Sequence, residues 1–313
     1  MLSFYVTFSD GSEAEINHLI SAVYNSDIDV PADNLTLTVI YDKRLGESVR
    51  ELRVYQDGAL IFKGQVDEVI NLKQDSGMVT QISARSLAAL LLDNEAEPLD
   101  YNNPASDFIF RRHLKPFGIT QYSADKKPLL GRLRIDKGMS HWQVLQSFCK
   151  SKYGCEPRIN GDGRAFFSGF SDDEKVVFSD TDSGIVYDKI REMYNRYNLI
   201  SEVAVKLLVC SAYRSSVKNS NPECDGITRK RYVDASADNN SLDTAYKIID
   251  RGNRKSYLIQ LECAGCYLGL LGKKAALDDS VLGVRNNLEV RKIKYQFDKN
   301  GEYTTVILGK ESK

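Results

Sequence analysis

The sequence is short of histidine, of any excess charge and of long apolar runs, and each shortage narrows what the chain can be. Only 3 of its 313 residues are histidine, and 42 Lys and Arg nearly balance 43 Asp and Glu, which leaves a net charge of −1. Such a chain has no general field to attract nucleic acid or anionic membrane. We therefore expect partners to be recognised through shape and local patches, without nucleic-acid specificity.

Segments for membrane insertion or export are also missing. No window approaches 18 uninterrupted apolar residues, and residues 1–13 lack the basic and apolar regions of a signal peptide. We expect no membrane span and a chain that is made and kept in a cytoplasm.

The sequence contains none of the common catalytic or cofactor motifs. It has no GxSxG or HExxH, and the segment from Gly269 to Lys274 lacks both the spacing and the Ser or Thr of a phosphate-binding loop. His18, His113 and His141 stand far apart, and we interpret each as structural or solvated. We predict no catalytic residues, no cofactor, no metal site and no enzymatic activity.

Cysteine keeps one chemical alternative open. Cys263 and Cys266 have CxxC spacing, but a structural zinc site needs a second ligand pair, and none lies at usable spacing. Gly265 between them suits a turn rather than the helix start of a thioredoxin-like site. Free thiols are the favoured interpretation, and a thiol enzyme is the alternative.

The first ninety residues carry a β pattern. Leu35–Tyr41 is a run of β-branched and aromatic residues, and Asp57-Gly58 separates two further runs as a hairpin turn does. Several short strands with tight turns predict a small barrel or sandwich. A short helix over Leu87–Leu92 ends the block.

The middle of the chain mixes helices with short strands. Asn103 and Pro104 have the form of an N-cap followed by proline at the first helical position, which predicts a helix over Ala105–Lys115. Ser140 and Gln143 form a capping box that begins a helix ending near Ser151. The residues predicted to form its buried face are Trp142, Leu145, Phe148 and Cys149.

From about residue 178 the pattern is mostly β again. We predict a strand over Val203–Val209, a helix capped by Ser241 and stopped by Gly252, and a final hairpin around Asp298–Gly301. The strand before the CxxC turn alternates at Tyr257, Ile259, Leu261 and Cys263. The fold class is therefore α+β and mostly β: two β modules flank a small α/β module, with boundaries at 1–95, 96–177 and 178–313.

Several segments resemble the baseplate hub proteins of contractile phage tails and tailocins, known as the late control D family. They are Val54–Gly64, Ser83–Ala96, Phe108–Ile119, Gly138–Leu145 with Phe148-Cys149 and Tyr153-Gly154, and the closing segment Leu288–Leu308. The resemblance is clearest over residues 50–170 and weakest over 210–240.

The resemblance implies a structural protein. Hubs of this family are homotrimers in which each subunit carries two tube-like β-barrels, so three subunits join the sixfold tail tube to a threefold spike. On this basis residues 1–95 and 178–313 are two such barrels, the second with one inserted helix. The implied partners are other copies of the chain, the tail tube protein, the central spike protein and other baseplate proteins. The implied location is the bacterial cytoplasm during assembly, and then the baseplate of a phage or phage-like particle.

Two other functions stay open at this point. A peptidoglycan-binding or wall-degrading module over residues 100–170 would need a groove with aromatics or paired carboxylates, whose separation sequence does not give. A thiol enzyme would need a depressed pKa at Cys263 or Cys266.

Overall fold

The structure is a computed structural model that describes residues 2–46, 48–75, 77–170, 172–181, 184–207, 212–234 and 241–311. It divides into two compact units. Unit 1 comprises residues 1–173, 264–272 and 291–304, and unit 2 comprises 174–263, 273–290 and 305–313. Within the described ranges, no helix has the length and apolar content needed to cross a membrane.

The N-terminal part of unit 1 consists of strands that follow the predicted alternation. At the turn between two of them, Asp57 and Gly58 adopt φ values of 49° and 83°, which is the left-handed geometry of a two-residue hairpin turn. The elements are β1 (Leu2–Phe8), β2 (Glu13–Glu15), β3 (Leu19–Asp27), β4 (Asn34–Ile40), β5 (Val49–Gln56), β6 (Ala59–Gln74), β7 (Gly77–Ser86) and helix α1 (Ala88–Asp93).

The next part of unit 1 is the α/β module. Its core forms around α3, where the predicted capping box is present and all four residues of the predicted apolar face are buried. The elements are β8 (Asp100–Asn102), α2 (Ser106–Ile109), β9 (Gln121–Ser123), β10 (Arg132–Arg134), α3 (His141–Tyr153), β11 (Arg158–Ile159) and β12 (Arg164–Phe166).

The remaining elements are mostly strands, with one long helix. The predicted alternation at Tyr257, Ile259, Leu261 and Cys263 is confirmed, because all four side chains are buried. The elements are β13 (Asp172–Ser179), β14 (Ile185–Val186), β15 (Lys189–Tyr194), β16 (Glu202–Lys206), β17 (Ser215–Lys218), β18 (Lys230–Asp234), α4 (Ser241–Ser256), β19 (Tyr257–Ala264), β20 (Lys273–Asp279), β21 (Gly283–Asp298) and β22 (Gly301–Lys310).

The large sheet of unit 1 has the strand order β21-β3-β4-β7-β6-β5-β1-β2 and is antiparallel throughout. One face is apolar and buried, as period-two alternation dictates. The residues that are fully or almost fully buried on it include Val6, Ala22, Leu35, Leu37, Leu52, Val54, Phe62, Ile82 and Ala84.

A buried ion pair holds the α/β module against this sheet within unit 1. The Nη2 of Arg158 on β11 donates to the carboxylate of Asp33 at 2.5 Å, and the two side chains are only 3% and 1% exposed. Nη1 of Arg158 also donates to the backbone carbonyls of Asp27 and Val30. Tyr24 donates to the other carboxylate oxygen at 3.0 Å. The pair therefore fixes the turn between β3 and β4 against β11.

The large sheet of unit 2 has the order β14-β13-β20-β21-β22-β19-β15. Its two edge strands are consecutive in the chain and are separated only by Tyr187 and Asp188. Among the described residues, the backbone hydrogen bonds close neither this sheet nor that of unit 1. The mostly β, α+β class is confirmed, whereas the closed barrels and the three domain boundaries stay predictions.

The segment between β15 and β19 forms a second, smaller sheet of order β17-β16-β18, covered by α4. The sequence predicts a single inserted helix in this region and assigns the strand Val203–Val209 to the second β module. The structure instead pairs β16 with β17 and β18. Residues 208 and 209 lie outside the described residues.

The predicted N-cap at Asn103 is wrong. Asn103 has a φ of 48°, and its side chain accepts a hydrogen bond from the backbone N–H of Gly131 instead of from a helix. The helix begins three residues later at Ser106 and continues through a π-helical turn, Phe110–Leu114, and a 3-10 turn, Lys115–Phe117. Gly118 ends it with a φ of 80°.

The predicted helix stop at Gly252 is also wrong, because α4 continues to Ser256. Gly252 is present for a different reason. A Cβ at this position would lie 2.7 Å from the backbone oxygen of Asn198, so only glycine lets the helix approach that segment.

We predict that Arg158→Ala lowers the free energy of unfolding by about 3–5 kcal/mol, because it leaves the Asp33 carboxylate buried without its cation. Urea unfolding followed by fluorescence of Trp142, the only tryptophan, measures the loss in this unit. The matched control is Arg132→Ala, which removes an exposed ion pair to Asp100 and should cost about 0–1 kcal/mol. Equal effects of the two variants would contradict the assignment.

Gly252→Ala should destabilise the chain by about 1–3 kcal/mol through overpacking against Asn198, although Gly→Ala in a helix interior ordinarily stabilises. Urea unfolding followed by circular dichroism tests the sign. Gly269→Ala is the control, since a Cβ there meets no atom within 4 Å. A stabilising effect of Gly252→Ala would show that the close approach is absent.

Candidate functional site

Two of the three histidines meet in the α/β module. His113 lies in the π-helical turn, and His141 is the first residue of α3. Their Nδ1 atoms are 2.9 Å apart, and the hydroxyl of Tyr101 lies 3.1 Å from Nε2 of His113. The three side chains therefore form one hydrogen-bonded row.

This geometry keeps both imidazoles neutral near pH 7. Only one proton can lie between two Nδ1 atoms at this distance, so one ring donates and the other accepts. Burial, then the charges of His141 and Arg112, lower the pKa of His113 to about 4. Burial and Arg112 also lower the pKa of His141.

The histidine pair borders an open cavity of about 390 Å³. Its charged walls are largely paired, since Arg112 contacts Glu97 and Arg111 lies 2.8 Å from Asp107. Within the described part of the chain, no three His, Cys, Asp or Glu side chains are arranged to hold a metal ion. The arrangement can take up protons below neutral pH, and it presents no activated nucleophile.

The sequence analysis considers these histidines separately and does not predict that their side chains are in contact. They are 28 positions apart, and no motif links them. The only available signal was that each lies within a predicted helix, and helix packing is not given by spacing. His18 is exposed on another part of unit 1.

The cysteines do not have the environment of a thiol enzyme. Cys263 is fully buried at the end of β19, and burial raises its pKa to about 12. Burial also raises the pKa of Cys266 to about 12. Gly265 has a φ of 95°, as the predicted turn requires. A reactive thiolate needs the opposite shift, so this alternative has no support from the geometry.

The outer face of the unit 1 sheet carries an exposed apolar row. Ile40, Val79 and Leu72 are cross-strand partners on β4, β7 and β6. Ile40 is 55% exposed and Leu72 is 39% exposed. Neighbouring positions on this face, such as Thr38 and Gln81, are polar. A contiguous exposed apolar row is typical of a protein contact surface.

The structure is similar to solved phage tail proteins over nearly its whole length. The tail protein from Neisseria meningitidis MC58 superposes with a TM-score of 0.76 at 20% identity, over 99% of this chain and 96% of that chain. The 43 kDa tail protein of prophage MuSo2 from Shewanella oneidensis gives 0.79 at 15% identity, over 99% and 98%. The chain has a phage tail protein fold.

A type VI secretion protein is similar as well. The E. coli c3393 protein, a component of that system with structural similarity to T4 tail proteins gp27 and gp5, gives a TM-score of 0.57 at 8% identity, over 95% of this chain and 74% of that chain. No protein-family profile and no curated protein sequence matches the chain. The resemblance is thus confirmed as far as a likeness to tail proteins, whereas the late control D hub family stays a prediction.

The histidine pair predicts a pH dependence of stability. Because the folded pKa of His113 lies below the ordinary 6.5, the unfolded chain binds more protons between pH 6.5 and 4, and stability falls as pH falls through this window. At pH 4, the protonation of His113 in the unfolded chain has lowered the free energy of unfolding by about 3 kcal/mol relative to pH 7.

The test compares urea unfolding of the natural chain and His113→Gln at pH 7 and pH 4. Glutamine does not titrate, so the variant should lose about 3 kcal/mol less between the two pH values. His18→Gln, at an exposed histidine, is the control and should follow the natural chain. Parallel pH profiles for all three proteins would contradict the account.

Proposed function

We propose that the chain is the structural hub of a phage-like tail baseplate, a homotrimeric ring that joins the sixfold tail tube to a threefold spike. The observation that carries the proposal is the fold likeness to phage tail proteins over 99% of the chain, in a molecule with two β-rich units. One chain with two similar modules supplies six modules from three copies, which is what matching threefold to sixfold symmetry requires.

The topology of unit 2 supports a tube-like module. A sheet whose two edge strands are joined by only two residues must curl until those edges approach each other. Tyr187, in this connection, donates to the carboxylate of Asp279 on β20, which anchors the bend. Asp279 also accepts from the backbone N–H groups of Val281 and Leu282.

In unit 1, one segment contacts two strands that are not neighbours in the sheet. The segment after β19 hydrogen-bonds to the start of β22, through Gly265 N–H to the Glu302 carbonyl at 2.9 Å. On its other side, the side chain of Gln56 at the end of β5 donates to the carbonyl of Cys266 at 3.2 Å. The segment thus bridges strands that lie far apart in the sheet order, as a curled sheet allows.

On this proposal the chain acts through contact surfaces and has no catalytic role. The apolar row of Ile40, Val79 and Leu72 is a surface for another protein of the particle. Its partners are further copies of itself, the tail tube protein, the central spike protein and other baseplate proteins. It assembles in the bacterial cytoplasm and is then located at the baseplate.

The wall-binding alternative has no comparable support. Trp142, the residue best suited to stack on a sugar, is only 6% exposed and packs in the core of the α/β module.

The hub proposal predicts a mass of about three times 35.2 kDa in solution, either for the chain alone or after addition of the spike protein. Light scattering coupled to size-exclusion chromatography measures it. A chain that stays monomeric with the spike present, and binds purified peptidoglycan instead, would contradict the proposal and favour a wall-binding module.

A further inference from the structure

The segment from residue 195 to 256 is an insertion between two paired strands. β15 and β19 are antiparallel neighbours whose last register pair is Tyr194 with Tyr257. The insertion begins after Tyr194, the last residue of β15, and ends before Tyr257, the first residue of β19. At this base, the backbone N–H of Asn195 donates to the Ser256 carbonyl at 2.6 Å, and the Asn198 side chain donates to the Lys255 carbonyl at 2.9 Å. A tight turn would have sufficed to connect the two strands.

The insertion has its own core. The small sheet β17-β16-β18 packs one face against α4. The side chains in this core are Ile200, Val203, Val205, Val217, Ala245 and Ile249, with Val233 and Ile248 at its margin. A separate core lets the insertion hold a defined surface of its own.

The opposite face of the small sheet presents two tyrosines. Tyr232 on β18 is 63% exposed, and Tyr213 just before β17 is 43% exposed. Their rings meet edge to face with centroids 5.0 Å apart, and the Tyr213 hydroxyl donates to Asp234. The hydrogen bond and ring contact order both side chains before any partner arrives, which lowers the entropy cost of binding.

Lysines surround the tyrosines on the same face. The register places Lys218 and Lys230 on either side of Glu202, and Lys206 opposite Asp234. Lys230 lies 3.0 Å from Glu202. Three lysines against two carboxylates leave this face positive.

The whole insertion is basic, although the chain is not. Residues 195–256 contain 11 Lys and Arg against 7 Asp and Glu, for a net charge of +4, while the complete chain carries −1. The remainder therefore has a net charge of −5. The part of the chain that exposes two ordered aromatic side chains is thus its basic part, and aromatic residues are common at the centre of protein contacts.

We propose that the exposed face of the small sheet, centred on Tyr213 and Tyr232 and lined by Lys206, Lys218 and Lys230, docks an acidic surface of another protein of the particle. This inference rests on the proposed tail function and adds a specific contact surface to it. Charge complementarity speeds the encounter and selects the partner, and the tyrosines supply the buried contact area.

The test uses the full chain and the purified tail tube, spike and other baseplate proteins of the same particle, each titrated singly by calorimetry or biolayer interferometry. One of them should bind the natural chain, with an affinity that decreases as salt increases. Tyr232→Ala and Lys218→Glu should each weaken this binding at least tenfold. Tyr246→Ala is the matched control, because Tyr246 is 61% exposed on α4, away from the small sheet's open face, and its removal should change nothing.

Duplex DNA is titrated in parallel. Three outcomes would overturn the inference: no partner protein loses affinity with either face variant, the Tyr246→Ala control loses as much affinity, or only the DNA binds the face. The mass of each variant in solution shows whether the trimer forms, and it therefore tests the hub proposal independently of partner binding. Face variants that keep the trimeric mass and lose the partner support the docking surface. A natural chain that never forms a trimer contradicts the hub, whatever the face binds.

Discussion

The buried pair of Arg158 and Asp33 is the interaction on which the arrangement of unit 1 depends. Both side chains are almost fully withdrawn from water, and the guanidinium also binds the backbone carbonyls of Asp27 and Val30. A buried charge pair adds little net stability, but its geometry admits few alternatives. The turn between β3 and β4 therefore has one defined position against β11. Nearby, the backbone at residue 161 approaches β6 so closely that only glycine fits, because a Cβ there would lie 2.6 Å from the Ile61 backbone oxygen.

On the proposed function, the chain has to hold its shape while other proteins bind it, and the rest of the fold suits that need. Each unit has an extensive, mainly antiparallel sheet with one buried face. The surfaces suited to partners lie elsewhere: an apolar row on the outer face of unit 1 and a basic, tyrosine-bearing insertion in unit 2. The titrating groups that could suggest chemistry, His113 and Cys263, are instead buried, and burial shifts the pKa of each towards its neutral form.

Local signals in the sequence were enough to predict local structure. The Asp57-Gly58 turn, the Ser140–Gln143 capping box and the alternation before Cys263 depend on neighbouring residues only, and all three are confirmed. Asn103 and Gly252 were misassigned because each serves a distant contact, with Gly131 and Asn198 respectively. Rules based on neighbouring residues do not predict contacts between residues that are distant in the sequence.

The same limit explains what was missed entirely. The histidine pair and the Arg158–Asp33 pair join residues 28 and 125 positions apart, and no spacing rule connects them. The small sheet of the insertion lies where the resemblance to the hub family is weakest. Of its three strands only β16 was predicted, within Val203–Val209, and its pairing with β17 and β18 was not.

The most direct test of the central claim is electron cryomicroscopy of the assembled chain, alone or bound to the spike protein. The account predicts a ring of three chains with threefold symmetry, in which the two β-rich units of each chain appear as six similar lobes around one channel. A ring of six chains, or particles in which only one unit of each chain lines the channel, would contradict it.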